Sequence, residues 1–123
     1  MPYYHNNSAG NKARIIYVNY VDGGGDNHMG QNEGVSSVSD HGTGDFTVNF
    51  SSSFSATNYA FFQGCSSENT NGNRGANGCN VKDPSLKATN SCRVVSYYGS
   101  TNSSNGSFTS CKTTTMAFIG HIS

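Results

Sequence analysis

The chain has 123 residues, with seven basic and seven acidic side chains and no net charge. That length sets one domain as the expectation. The balanced charge, with no Lys/Arg cluster, lacks the electrostatic footprint of a nucleic-acid binder. Only 33% of residues are hydrophobic, and Gly, Ser, Asn and Thr together make 60 of the 123. Such residues compete with helix hydrogen bonding and favour turns, which excludes long helices.

Fourteen aromatic residues and a charged fraction of 11% argue against a disordered chain. Met1–Asn7 has neither a basic start nor an apolar stretch, so no signal peptide is expected. No run of about 18 apolar residues is present, so no helix is expected to span or insert into a membrane.

In chain order, residues 1–12 are expected to form a polar arm and residues 13–123 a single domain. Ala13–Val21 predicts a strand in which Ile16, Val18 and Tyr20 alternate with Tyr17 and Asn19. Asp22–Asn27 is a glycine loop, and Met29–Glu33 leads onward from it. Gly34–Phe50 predicts a β-hairpin. Its first arm carries Val35 and Val38, its turn is Asp40-His41-Gly42-Thr43-Gly44, and its second arm alternates Phe46, Val48 and Phe50 with Asp45, Thr47 and Asn49.

Beyond a serine-rich turn, Asn58–Gly64 predicts a strand whose Tyr59–Phe62 run is apolar enough to be central or to meet another subunit. Residues 66–80 carry almost no apolar side chain and are expected to be a surface loop, followed by a turn at Asp83-Pro84. Cys92–Tyr98 predicts a strand with Val94 and Ser96 on one face and Val95 and Tyr97 on the other. Gly99–Ser110 is a polar loop, and Lys112–Ile119 predicts the last strand, with Thr114, Met116 and Phe118 on one face. Six or seven short strands with long polar loops predict an all-β antiparallel sandwich, jelly-roll-like or immunoglobulin-like.

Four cysteines stand at 65, 79, 92 and 111, without metal-ligand spacing, so no metal or cofactor is expected. Three disulfide pairings are open; Cys65–Cys79 with Cys92–Cys111 is preferred because each closes one polar loop. Thiols are the alternative. No catalytic constellation is present. His5, His28, His41 and His121 are scattered, no G-x-S-x-G elbow occurs, and the acidic residues sit mostly in turns where they cap their own backbone. The chain is therefore not expected to be an enzyme.

Recognition chemistry is expected instead from Tyr97 and Tyr98, whose rings can stack on a sugar, with Asn73, Arg74, Asn77, Asn102 and Asn105 of the polar loops as hydrogen-bonding partners. The alternative is that both tyrosines pack within the sheet.

The segment GVSSVSDHGTGDFTVNF, residues 34–50, followed by Asn58-Tyr-Ala-Phe-Phe62, resembles a signature of tail-fibre and other virion structural proteins of tailed bacteriophages, marine ones especially. Ala13–Tyr20 and Met116–Gly120 are similar to the opening and closing strands of that family, so the resemblance spans most of the chain. The departures are the cysteines, the long insertion after Phe62 and the absence of tryptophan; they bear on the loops more than on the core.

The resemblance implies a virion structural protein, made in the host cytoplasm and placed on the particle exterior. The first expectation is a tail-fibre or fibre-tip subunit contacting host surface polysaccharide, assembled with other virion proteins and with copies of itself as a homotrimer. The alternatives are a capsid-decorating, cement or head-fibre protein, or a carbohydrate-binding lectin or extracellular fibril subunit.

Overall fold

The computed structural model describes residues 4–6, 12–21, 29–65, 77–98, 107–108 and 113–122. Among these residues it is an all-β sandwich of two antiparallel sheets. The strands are β1 (Tyr4–Asn6), β2 (Lys12–Tyr20), β3 (Met29–Glu33), β4 (Val35–Gly42), β5 (Asp45–Phe50), β6 (Ala60–Cys65), β7 (Asn77–Val81), β8 (Ser91–Tyr98), β9 (Ser107–Phe108) and β10 (Thr114–Ile122). The first sheet runs β1-β2-β10-β6, with β3 sharing the β2 edge with β1; the second runs β4-β5-β8-β7, with β9 beside β8.

Alternation in the sequence becomes a dry and a wet face in each sheet. Along β2, Ile16, Val18 and Tyr20 point between the sheets and are fully buried. Across from them on β10 lie Phe118, Met116 and Thr114, in the register Ile16↔Phe118, Val18↔Met116 and Tyr20↔Thr114. The second sheet answers with Phe46, Val48 and Phe50 of β5 and Cys92 and Val94 of β8. The aromatic rings lock the layers together. Tyr20 and Phe46 have centroids 4.7 Å apart, and Phe50 meets Phe118 edge-on at 5.0 Å. Each such ring or aliphatic group is worth roughly 1.5–3 kcal/mol when fully buried.

The hairpin β4–β5 turns at Thr43-Gly44, with Gly44 at φ +66° and Gly42 at φ +127°. Both values lie where an L side chain is strained, so the two glycines are what lets the turn close. Asp40 Oδ1 accepts from the Gly42 amide at 2.9 Å, and Asp83 Oδ1 accepts from the Ser85 amide at 2.8 Å ahead of a 3₁₀ turn, Pro84–Leu86.

Several elements differ from expectation. Tyr4–Asn6 pairs with β2, so part of the N-terminal segment belongs to the first sheet. Met29–Glu33 is a strand because it lies along the β2 edge, where backbone pairing does not require apolar side chains. Asn77–Asn80 forms most of β7 instead of loop, since β8 offers it a ladder from Val94 to Tyr98. The Tyr59–Phe62 run is not central: β6 is the edge strand of its sheet, with Phe61 turned to the core and Phe62 outward.

Gly120 sits where the chain permits no side chain. A Cβ there would lie 2.6 Å from Tyr59 Cβ and 2.9 Å from Phe54 Cδ1, inside a stack whose rings are 4.5 Å apart. We expect Gly120→Ala to cost about 1–3 kcal/mol by overpacking, read as a lower urea midpoint with an unchanged slope.

Candidate glycan-contact face

The outer face of the second sheet is polar, and its side chains are arranged by strand register. Asn49 on β5 donates through Nδ2 to Ser37 Oγ at 2.9 Å and to Ser39 Oγ at 3.1 Å, both on β4. His41 Nε2 and Thr47 Oγ1 are 2.8 Å apart across the same pair of strands. A ladder of amides and hydroxyls thus covers the hairpin.

Next to it, Asp45 stands opposite Val95 and beside Arg93 of β8. Its carboxylate accepts from Arg93 Nε at 2.9 Å and Nη2 at 3.0 Å, and from Lys82 Nζ at 2.7 Å. The Arg93 guanidinium foremost, with Lys82 helping against the opposing effect of burial, holds the Asp45 carboxyl down to about 2 from 3.8. The cluster carries one acid and two bases. It leaves spare donors on Lys82 and Arg93, each about a third exposed, pointing to solvent.

Tyr97 stands at the end of the same row, opposite Gly78 on β7. Its Oη, Cζ and Cε2 lie 3.1, 3.2 and 3.4 Å from where a Cβ on Gly78 would be. The phenol end of Tyr97 therefore lies over the glycine, and the residue is 37% exposed. Glycine across from tyrosine thus leaves room for a partly exposed aromatic platform at sheet level, and an aromatic face can stack on a pyranose ring.

The expected site residues are only partly brought together. Tyr97 is on the outer face. Tyr98 and Asn77 are backbone partners at the end of the β7–β8 ladder, with their side chains outside what is described. Asn73, Arg74, Asn102 and Asn105 lie outside the described residues. Sequence reasoning placed Asp45 on the polar side of the second hairpin arm but missed the Asp45–Lys82–Arg93 cluster. The three residues are dispersed along the chain and meet only through β5–β8 register and the Lys82 amide bonding Arg93 O at 2.9 Å. Nothing in the local sequence signals that meeting.

Cys65, Cys79 and Cys92 are in the thiol form, so neither the Cys65–Cys79 nor the Cys92–Cys111 bridge is formed in this structure, and Cys111 itself lies outside the described residues. Cys79 Sγ donates to Gln63 Oε1 at 3.5 Å, and Cys65 Sγ lies 3.8 Å from Thr114 Oγ1. Cys92 is sealed in the core, where burial pushes its thiol up to about 11.

A cleft of about 400 Å³ opens between Ser55, Asn58, Tyr59 and His121. The Ser55 hydroxyl there donates to the His121 carbonyl at 3.0 Å and is not paired with the imidazole. Among the described residues no three His, Cys, Asp or Glu side chains converge on a point that would hold a metal. Comparison with protein-family models, with curated proteins and with solved structures finds no match for this chain.

The Asp45 cluster gives a pH signature. Because the folded carboxyl titrates below its ordinary value, its contribution is fully present above about pH 4 and is lost as pH falls through about 2. Asp45→Asn is expected to cost about 1–2 kcal/mol at pH 7, after discounting for the solvent-screened bases. The gap from wild type in urea midpoint should shrink steadily as pH falls from 4 to 2. For the thiols, iodoacetamide at pH 8 under native conditions is expected to modify half-buried Cys65 well before Cys92, with peptide mass spectrometry as the readout.

Proposed function

We propose that this protein is a structural and adhesive component of a tailed-bacteriophage virion, a tail-fibre or fibre-tip subunit that binds host surface glycan and turns over no substrate. One observation carries this reading: the sequence GVSSVSDHGTGDFTVNF and the strands around it resemble that family. The chemistry of the two outer faces supports it. The second sheet presents hydroxyls, amides, the Lys82 and Arg93 donors and the Tyr97 platform, a set suited to sugar hydroxyls and carboxylates. The first sheet exposes Ile15, Tyr17 and Phe62 on its outer face, with Glu33 of β3 beside Tyr17, a mixture suited to contact with another protein.

A capsid-decorating or cement role is the second reading, and β1 favours it. Among the described residues its three residues pair with the end of β2, and so short a strand can be exchanged with a neighbouring copy at little cost.

Antibody-labelled electron microscopy of particles that carry the protein separates the two readings, with label on the tail for the first and on the head for the second. No label on any particle overturns both. On a host-glycan array, Tyr97→Ala is expected to lower retention by about two- to tenfold, the loss of one stacking contact of about 0.5–1.5 kcal/mol, whereas the opposite-face control Tyr17→Ala leaves it unchanged. Equal retention by wild type and Tyr97→Ala removes the platform from the reading.

A further inference from the structure

The buried row of β2 begins with a charge. Arg14, Ile16, Val18 and Tyr20 all point between the sheets, and Arg14 keeps only 6% of its surface exposed. Its Nε is shut off from solvent and has no hydrogen-bond partner. A guanidinium taken out of water without an opposite charge is costly, and unlike a lysine ammonium it does not escape by giving up its proton. Buried polar atoms left in this state are rare enough that each needs a cause.

Among the described residues no carboxylate of the chain answers it. Asp45 is bonded to Arg93 and Lys82, Asp40 to the Gly42 amide and Asp83 to Ser85. Glu33 stands in register with Tyr17, an outward position of β2, so its side chain is on the opposite side of the sheet from Arg14. Lys12, the next residue on the Arg14 side of β2, is exposed and adds a second positive charge where the row meets solvent. This end of the sandwich draws anions inward.

Two glycines give the guanidinium its room. Opposite Arg14 on β10 is Gly120, which brings no side chain to the row. At the entrance to β4, Gly34 stands at φ +77°, and a Cβ there would lie 2.9 Å from Nη2 and 3.4 Å from Cζ of Arg14. The head is therefore seated against the Gly34 backbone. Nε and Nη2 form the side-on fork with which a guanidinium grips both oxygens of one oxyanion.

We infer that Arg14 is the centre of an anion-binding site at this end of the sandwich and that its ligand is a small carboxylate. Two features select that class. One buried guanidinium balances one negative charge, whereas a phosphate dianion brings a second charge into the same dry place. The 6% exposure also admits only a slender group, such as a carboxylate end, and not a ring or a branched head. The site is separate from the outer face of the second sheet, and the inference stands whether or not the protein binds glycan or belongs to a virion.

Thermal melting of the purified full chain in increasing sodium formate, against sodium chloride at matched ionic strength, tests it. Formate is expected to raise the wild-type midpoint beyond chloride, because a ligand held by the folded form alone stabilises it. Arg14→Met, uncharged and of similar length, is expected to melt at or above wild type in chloride. Its formate affinity is expected to fall about tenfold or more with the loss of the charged donors. Should Arg14→Met fail to fold, Arg14→Lys, which keeps the charge and lacks the fork, repeats the comparison. NMR gives a direct reading: the Arg14 Nε–H resonance, identified by its absence from the variant, is expected to move as formate is added. No formate-specific stabilisation of wild type, a response that survives in the folded variant, or an Nε–H resonance that formate leaves in place overturns the inference. A phosphate response larger than the formate response overturns it as well.

Discussion

The seam between the two sheets is the constraint on which the rest depends. With a third of its residues hydrophobic, the chain forms one dry layer only if nearly every strand turns its alternate side chains to the same place. Tyr20 against Phe46, and Phe50 against Phe54, Tyr59 and Phe118, do this with rings that interlock across the layers. Tyr59 shows how tightly the seam is finished. Its buried hydroxyl donates to the carbonyls of Ala88 and Ser91, its carbonyl accepts from Lys87, and burial holds the phenol protonated. A polar group in that position without partners would cost more than its ring contributes.

Once the inner faces are committed, the outer faces are free to differ, and they do. On the second sheet the backbone presents hydroxyls, amides and a three-member ion cluster; on the first it presents isoleucine, tyrosine and phenylalanine. Strand alternation makes this division cheap: changing an outward residue alters recognition without touching the seam. Tyr97 illustrates the coupling of the two. Its neighbour Ser96 is fully buried, its own ring lies outside over Gly78, and a one-residue slip in β8 would exchange them.

The elements legible in the sequence were those with an alternating apolar pattern. β2 and β5 carry a bulky residue at every second position and β8 and β10 do so over part of their length, and the faces assigned to Ile16, Phe46, Val94 and Phe118 are those observed. β3 and β7 were illegible for a physical reason. MGQNE and NGCNV have almost no apolar content, and they become strands because β2 and β8 have edges to pair, a tertiary cause that no local window contains. The Tyr97 platform was half legible: the aromatic residue stood out, but the room for its phenol end depends on Gly78, nineteen residues away. The ion cluster depends on register between distant strands and left no local trace.

The register between β2 and β10 also governs how the molecule is made. Tyr20 pairs with Thr114 and Lys12 with Ile122, so the centre of the first sheet joins segments about a hundred residues apart. By contrast, the β4–β5 hairpin closes over two residues. Folding is therefore expected to begin locally at Thr43-Gly44 and to end with the insertion of β10 between β2 and β6, an ordering that makes sandwiches slow. On the ribosome, β2 and β6 emerge long before the strand that belongs between them. Until it arrives, Ile16, Val18 and Phe61 lack the strand that lies beside them in the finished sheet, and apolar side chains left open in this way are what makes a partly made chain prone to aggregate.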